Sequence, residues 1–306
     1  MKKLALGLIL IAVAALTLPN ILLKDRQIPV TTTEIKLYRH QTGEIETLAL
    51  EEYLLGVVAA EMPANFPTEA LKAQAVAART YAAQRLLPGG VENPAHPGAD
   101  LCDDPRHGQA WISTEEMMAR WGKLSYYQNY FKIKRAVDGT RNKVLVYNKE
   151  LITAAYHASC GGGYTENSGD VWQVELPYLK SVPCPHCSDP HPVRTVTYPL
   201  NKVAERLQAD LTALPTIAEQ TSTGRPKTVN IAEKQIPATV FRELLNLRST
   251  WFEYEIHENK ITFTTTGHGH GIGMCQYGAK GMAENKKTHQ EILSHYYPGT
   301  ELAELK

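Results

Sequence analysis

Residues Leu4 to Leu23 read LALGLILIAVAALTLPNILL, an uncharged stretch flanked by Lys2-Lys3 on one side and Lys24-Asp25-Arg26 on the other. A hydrocarbon layer about 30 Å thick is crossed by about 20 helical residues. The stretch therefore predicts a transmembrane helix, with residues 1–25 as a membrane anchor in contact with the lipid bilayer through 4–23. The competing reading is a cleaved signal peptide, with Lys2 and Lys3 as its basic end and the small residues Ala12 to Ala15 near the cut. Under either reading the positive flank places the remainder outside the cytoplasm. Residues 31–306 are then expected to form one exported domain.

Composition narrows what that domain does. Lys+Arg and Asp+Glu both number 32, so the formal net charge is zero. This argues against a nucleic-acid binder held by a phosphate-attracting field. An anionic partner has to be held locally. A chain that is 43% hydrophobic and 21% charged has material for a sizeable core. Five cysteines are too few for a disulfide scaffold, and the odd count leaves at least one unpaired or metal-bound.

The local pattern mixes short strands with amphipathic helices. Glu34–Arg39 and Glu44–Leu48 flank Gln41-Thr42-Gly43 as a hairpin. Glu51–Glu61 carries Leu54, Leu55, Val57 and Val58 at helical spacing and ends before Pro63. Glu69–Leu87 is a second helix, and Ser113-x-x-Glu116 caps a third through the 120s. A hairpin turns at Asn148-Lys149, Asn201–Ala213 reads as a helix, and Trp251–His257 pairs with Lys260–Thr266. Thr288-x-x-Glu291 caps a last helix to about Tyr296. Strands and helices without strict βαβ alternation predict an α+β fold with antiparallel sheets.

Several residue groups carry chemistry. Glu61 lies at a helix C-terminus, where the macrodipole disfavours its ionisation, and Met62, Pro63 and Phe66 would desolvate it. A carboxyl kept protonated near neutrality suits a general acid; an exposed last-turn Glu is the ordinary alternative. Arg79 sits among alanines, which let a guanidinium lie against a packed surface or an adjacent carboxylate. His96, Cys102 and His107 share a Pro/Gly-rich loop at spacings that suit Zn²⁺, one ligand short of a closed site, with Asp100, Asp103, Asp104 or water to complete it. Cys160, Cys184, Cys187 and Cys275 form either a four-thiolate zinc site or two disulfides. Gly267-His268-Gly269-His270-Gly271-Ile272-Gly273 has glycines that take positive φ and let backbone approach a ligand. His157 and His270, with Gln276 just beyond, supply polar groups for the same cleft.

Taken in order, Glu51–Tyr81 (EEYLLGVVAAEMPANFPTEALKAQAVAARTY), Ala155–Glu166 (AYHASCGGGYTE), Pro177–Val182 (PYLKSV) and Gly267–Gly278 (GHGHGIGMCQYG) resemble the stage II sporulation protein D family. Its domain is shared with amidase-enhancer proteins. The resemblance covers nearly all the chain from about residue 31. It implies a peptidoglycan lytic transglycosylase of sporulation and engulfment, needing no cofactor for its chemistry and holding at most a structural Zn²⁺. Glu61 falls on the family's acid/base. It would cleave the N-acetylmuramic acid–N-acetylglucosamine bond of peptide-stripped glycan strands, leaving 1,6-anhydro-muramyl ends. Arg79, Tyr178 and Lys180 match further positions associated with activity. The implied partners are glycan strands, a peptidoglycan amidase and a polytopic membrane protein. The implied location is the mother-cell membrane, single-pass, with the catalytic domain extracytoplasmic. Zinc-binding members carry a Cys where this chain has Gly108, and many members have Ser where it has Cys160 and Cys275. A non-catalytic amidase enhancer is the alternative function, and a zinc hydrolase centred on His96, Cys102 and His107 is a third.

Overall fold

The computed structural model describes residues 27–28, 33–87, 90, 93, 95–106, 108–209 and 214–306. The expected anchor at 4–23 lies outside these residues, as does His107. Among the described residues no helix is long and apolar enough to cross a membrane.

Alanine dictates the centre of the fold. Helices α1 (Leu50–Glu61) and α2 (Thr68–Leu86) are joined by a short turn through Pro63 and Pro67, neither of which can extend α1. In α2 the buried positions include Ala70, Ala73, Ala75, Ala77, Ala78, Ala82 and Ala83. Side chains this small let α1 and α3 (Thr114–Asp138) pack closely on α2. Helix α3 opens on the expected capping box of Ser113 and Glu116 and is interrupted at Gly122, whose φ is +71°. Around these helices lie two sheets. One orders β1 (Gln27–Ile28), β15 (Glu301–Leu305), β5 (Lys143–Tyr147) and β6 (Glu150–Leu151); the other orders β3 (Ile45–Ala49), β2 (Glu34–Tyr38) and β4 (Leu101–Cys102). The first hairpin pairs Glu34 with Ala49 and Tyr38 with Ile45.

A second, separate core gathers Val203, Val229, Phe241, Phe252, Ile261 and Phe263. The ring centroids of Phe241 and Phe252 stand 5.0 Å apart, and Phe263 meets both edge-on. This lobe contains β8 (Val193–Pro199), α5 (Leu200–Leu207), β9 (Thr216–Gln220), β10 (Pro226–Ile231), β11 (Lys234–Pro237), α6 (Ala238–Leu244), β12 (Phe252–His257) and β13 (Lys260–Thr266). Strands β12 and β13 form the expected hairpin, and β8 completes their sheet. Helix α5 ends at Leu207, short of the expected Ala213, because Gln208 turns left-handed at φ +48°. The lobes are fastened by a buried ion pair, Arg225 Nε to Glu166 Oε1 at 2.9 Å. Arg225 also donates to the carbonyls of Cys160 and Tyr164.

The chain then returns to the first core through β14 (Met274–Cys275), which pairs in parallel with β7 (Tyr156–His157). Helices α7 (Gln276–Glu284) and α8 (His289–Tyr296) follow, the latter on the expected Thr288–Glu291 capping box. One further helix, α4 (Ser168–Trp172), lies between β7 and β8. The observed mixture of helices and mainly antiparallel sheets is α+β.

Candidate active site

Glu61 is the last residue of α1 and stands where two cavities, about 620 Å³ and about 480 Å³, share a wall. Ala60, Glu61, Ala158, His268 and Gln276 line both. The β7–β14 pairing is what brings this about. It holds Ala158 and Gln276 side by side, one residue past Cys275 and His157 in each strand.

Among the described residues, every donor to the Glu61 carboxylate is neutral. The Ala110 N–H donates to Oε1 at 2.8 Å, and the side chains of Gln276 and Tyr156 are further donors. Tyr156 is itself positioned by Gln109, whose Nε2 donates to its hydroxyl at 2.9 Å and whose Oε1 accepts from Tyr53 at 3.0 Å. Gln276 is held by donation to Gln74 Oε1 at 3.2 Å. Burial pushes the Glu61 carboxyl up to about 6, against the pull of these hydrogen bonds. A carboxyl of that pKa is populated in both protonation states near neutrality, as an acid that must also act as a base requires.

The cleft histidines are held neutral. Burial, and then the neighbouring His270, bring His157 down to about 3. Burial, then Arg242, brings His270 to about 4; burial, then Arg248, brings His268 to about 4. The His157 Nδ1 donates to the Ile272 carbonyl at 3.0 Å, leaving Nε2 with no partner among the described residues in the wall of the smaller cavity. His270 Nδ1 accepts from the Ile272 N–H at 3.0 Å, and its ring stands 5.4 Å from that of Trp172. The structure thus gathers Glu61, His157, His270 and Gln276 in one place.

The residues expected to supply positive charge go elsewhere. Arg79 is wholly buried, bound through Nε and Nη2 to both oxygens of Glu51 at 3.0 and 2.7 Å and through further donors to the carbonyls of Lys143 and Val137. It lines neither cavity at Glu61. The surrounding alanines permit this burial, and the carboxylate it meets is Glu51. Lys180 pairs with Glu175, and the Tyr178 hydroxyl accepts from the Thr153 N–H at 3.2 Å; neither lines those cavities. The cations that do line them are Arg120, Arg242 and Arg248. Arg242, from α6, and Arg248 both come from the stretch that carries the second core. Nothing in their sequence neighbourhood marks them, since only the packing of one lobe on the other brings them to Glu61.

Of the loop expected to hold a metal, His96 and Cys102 are described and His107 is not. The His96 ring stacks on Tyr38 at 3.9 Å, and Cys102 Sγ accepts from the Asp104 N–H. The carboxylates offered as completing ligands are committed: Asp103 to Arg39 and His40, Asp104 to Arg106, and Asp100 to the Lys36 N–H. Among the described residues, no set of three metal-ligating groups converges there. Such a set exists among Cys160, Cys184, Cys187 and Cys275, all four free thiols. The glycine-rich segment takes the expected backbone conformation. Gly267, Gly269, Gly271 and Gly273 all take positive φ. Backbone crowds two of them, with a Cβ on Gly273 falling 2.0 Å from the Ala155 carbonyl oxygen and one on Gly267 2.7 Å from that of Ser159, while the His157 side chain crowds Gly269 and the Arg225 and Glu166 side chains crowd Gly271. Gly267, Gly269 and Gly273 let this segment lie against residues 155–161.

The family model described as stage II sporulation protein (SpoIID) matches residues 38–147. Stage II sporulation protein D of Bacillus amyloliquefaciens is 38% identical over 274 residues, covering 88% of this chain and 78% of that one. The protein of the same description from Bacillus subtilis (strain 168) is 39% identical, over 88% of this chain and 79% of its own. An amidase enhancer from Bacillus subtilis (strain 168) is 30% identical over 81% of this chain and 40% of its own. The chain belongs to the stage II sporulation protein D family, in which its role is in sporulation.

Proposed function

We propose that the chain is a lytic transglycosylase that cuts the glycan strands of peptidoglycan, with Glu61 as the acid and then the base. The observation that supports this most is the carboxyl count. Glu61 is the only carboxyl among the described residues lining the two cavities. Retaining and inverting glycosidases require a second carboxylate roughly 5 to 9.5 Å from the first, as nucleophile or as base for water. A single carboxyl suffices when the substrate brings its own nucleophile. Protonated Glu61 gives its proton to the glycosidic oxygen as the muramyl C1–O bond breaks. The resulting carboxylate takes the proton of the muramyl C6 hydroxyl as that oxygen closes on C1. The 1,6-anhydro ring forms, a free hydroxyl is left on the departing sugar, and Glu61 ends protonated as it began.

Gln276, Tyr156 and the Ala110 N–H aim the carboxylate without a cation that would hold it ionised. Arg242, whose Nε has no hydrogen-bond partner among the described residues, is placed to receive the lactyl carboxylate of a stem-peptide-free muramyl unit. The setting that goes with this reading is a domain tethered outside the cytoplasm by residues 4–23 and working beside a peptidoglycan amidase during engulfment. The test is mass spectrometry of products from defined, peptide-free glycan strands. Wild-type protein should release anhydro-muramyl ends, and Glu61→Gln should bind the strands without releasing them. The identity to an amidase enhancer favours a second reading, in which the chain raises a partner amidase's rate without cutting glycan. Absence of anhydro products from the wild type, with amidase stimulation retained by Glu61→Gln, would decide for it.

A further inference from the structure

Four sulfurs from three separate stretches converge behind the cleft. Cys160 follows β7, Cys184 and Cys187 form a Cys-Pro-His-Cys turn, and Cys275 caps α7. Their Sγ atoms all lie within 4.8 Å of one another, with Cys187 and Cys275 at 3.7 Å. A tetrahedral Zn–thiolate site with bonds of about 2.3 Å has sulfur–sulfur edges of about 3.8 Å, whereas a disulfide needs about 2.05 Å. The spacing fits the first.

The surroundings are those of thiolates rather than thiols. The N–H groups of Cys160 and Gly278 both donate to Cys275 Sγ at 3.3 Å. The Tyr296 hydroxyl lies 3.0 Å from Cys184 Sγ, and the Ser159 hydroxyl 3.6 Å from Cys187 Sγ. A thiol is a weak acceptor, so two backbone N–H donors directed at one sulfur, with hydroxyls in reach of two others, are better matched by anionic sulfur. Cys275 also stands at the N-terminus of α7, where the helix dipole favours a negative charge. The seat is cut for the turn: a Cβ on Gly278 would fall 2.0 Å from the Tyr296 hydroxyl and 2.5 Å from Cys184 Sγ, and one on Gly281 would fall 2.0 Å from the His186 carbonyl oxygen. Three of the sulfurs are buried and Cys187 is half-buried, which leaves one side open for an ion to arrive.

We infer that Cys160, Cys184, Cys187 and Cys275 bind one structural Zn²⁺ as four thiolates, and that this ion fixes the floor of the cleft. The ion ties the end of β7 to the start of α7, the two segments that carry His157 and Gln276. It has no open position and takes no part in proton transfer. The inference stands whether or not the chain cuts glycan, because its first readout is metal content.

The test uses the full-length protein, purified without chelator, in native mass spectrometry and elemental analysis. One zinc per chain is expected, with all five cysteines reduced. His96→Ala, Cys102→Ser and His107→Ala should leave that count unchanged. Cys187→Ser should weaken zinc retention against a competing chelator by more than the 10- to 100-fold typical of losing an outer-shell partner. Because Cys187→Ser could fold poorly, Co²⁺ exchanged into the wild type gives an independent reading: visible absorption of a tetrahedral site with thiolate charge-transfer bands. A mass four hydrogens light with no metal, showing two disulfides, would overturn the inference. So would iron in place of zinc, reduced protein that takes up no Zn²⁺, or zinc that is lost only in the His96, Cys102 and His107 variants.

Discussion

Of the three glutamates in helix α1, Glu51 and Glu61 lie near opposite ends and have opposite fates. Glu51, in the first turn, faces the fully buried guanidinium of Arg79 and is bound by it at both oxygens. Glu61, in the last turn, is half-buried among Ala110, Gln276 and Tyr156 and meets no cation among the groups that act on it. Same residue, same helix: one is bound at both oxygens by a guanidinium, the other is left with a pKa of about 6. Arg79 is the reason for the split. With its donors committed to Glu51, Thr140 and two carbonyls, the only cation buried in α2 is unavailable to Glu61. A reactive carboxyl thus depends on where a charge is kept away as well as on what surrounds it.

The sharpest way to break this comparison is to neutralise each glutamate in turn. Glu61→Gln should lower glycan cleavage by about 10²- to 10⁴-fold, the usual contribution of a positioned acid/base, while the protein stays folded. Glu51→Gln should leave the turnover of folded protein within a few-fold and lower its thermal midpoint. If Glu51→Gln were the catalytically dead variant and Glu61→Gln the active one, the assignment would be reversed.

Next in size is the cation between them. Arg79→Met strands Glu51 beside a buried apolar side chain, and removing one partner of a buried pair costs about 3–5 kcal/mol. Arg79→Met combined with Glu51→Leu should recover most of that loss in urea unfolding. Turnover per folded molecule should change little in either variant. A selective loss of substrate affinity in Arg79→Met, with stability intact, would instead return Arg79 to the cleft.

How much of this was legible in the sequence follows the same division. The ends of α1 and α2, the capping boxes at Ser113 and Thr288 and the first and third hairpins are written in local chemistry, and the structure places them as that chemistry implies. Arg79 is instructive because its alanine neighbours did signal burial near a carboxylate, but nothing local says which carboxylate. The answer lies 28 residues away. Arg242 and Arg248 were invisible because they belong to the second lobe, whose stretch from Pro215 to Thr250 has no motif and reaches the cleft only through packing and the Arg225–Glu166 pair. The four cysteines were visible as a set because Cys160 and Cys275 both stand where many members of the family have Ser, and the structure brings them together across 115 residues.

The titration of Glu61 gives a third and smaller effect, in stability. Its folded pKa, about 6, lies above the ordinary value of 4.5. Between those two pH values the folded chain holds the proton more tightly than the unfolded chain. Its contribution is therefore fully present below pH 4.5 and is lost as pH rises through 6, by about 2 kcal/mol. Glu61→Gln should remove this slope and be more stable than wild type above pH 6, though inactive. In the wild type, cleavage should decline as pH rises past the same value, because the acid form is spent. A stability profile unchanged by Glu61→Gln would show that the carboxyl is not desolvated.

The smallest effect tests the neutral donors themselves. Gln276 donates both to Glu61 and to Gln74, so Gln276→Met removes a hydrogen bond that favours the carboxylate and adds apolar surface beside it. Both changes push the Glu61 pKa further up. The alkaline limb of the cleavage profile should then move to higher pH by roughly half a unit to one unit, since a hydrogen bond to a charged group is worth about 1.5 kcal/mol or more before relaxation. The sign of the movement carries the argument. Were a cation rather than neutral dipoles controlling Glu61, loss of Gln276 would alter the rate and leave the limb where it was. A shift upward, with the Glu51–Arg79 end of the helix undisturbed, would show that one end of α1 can be tuned without the other.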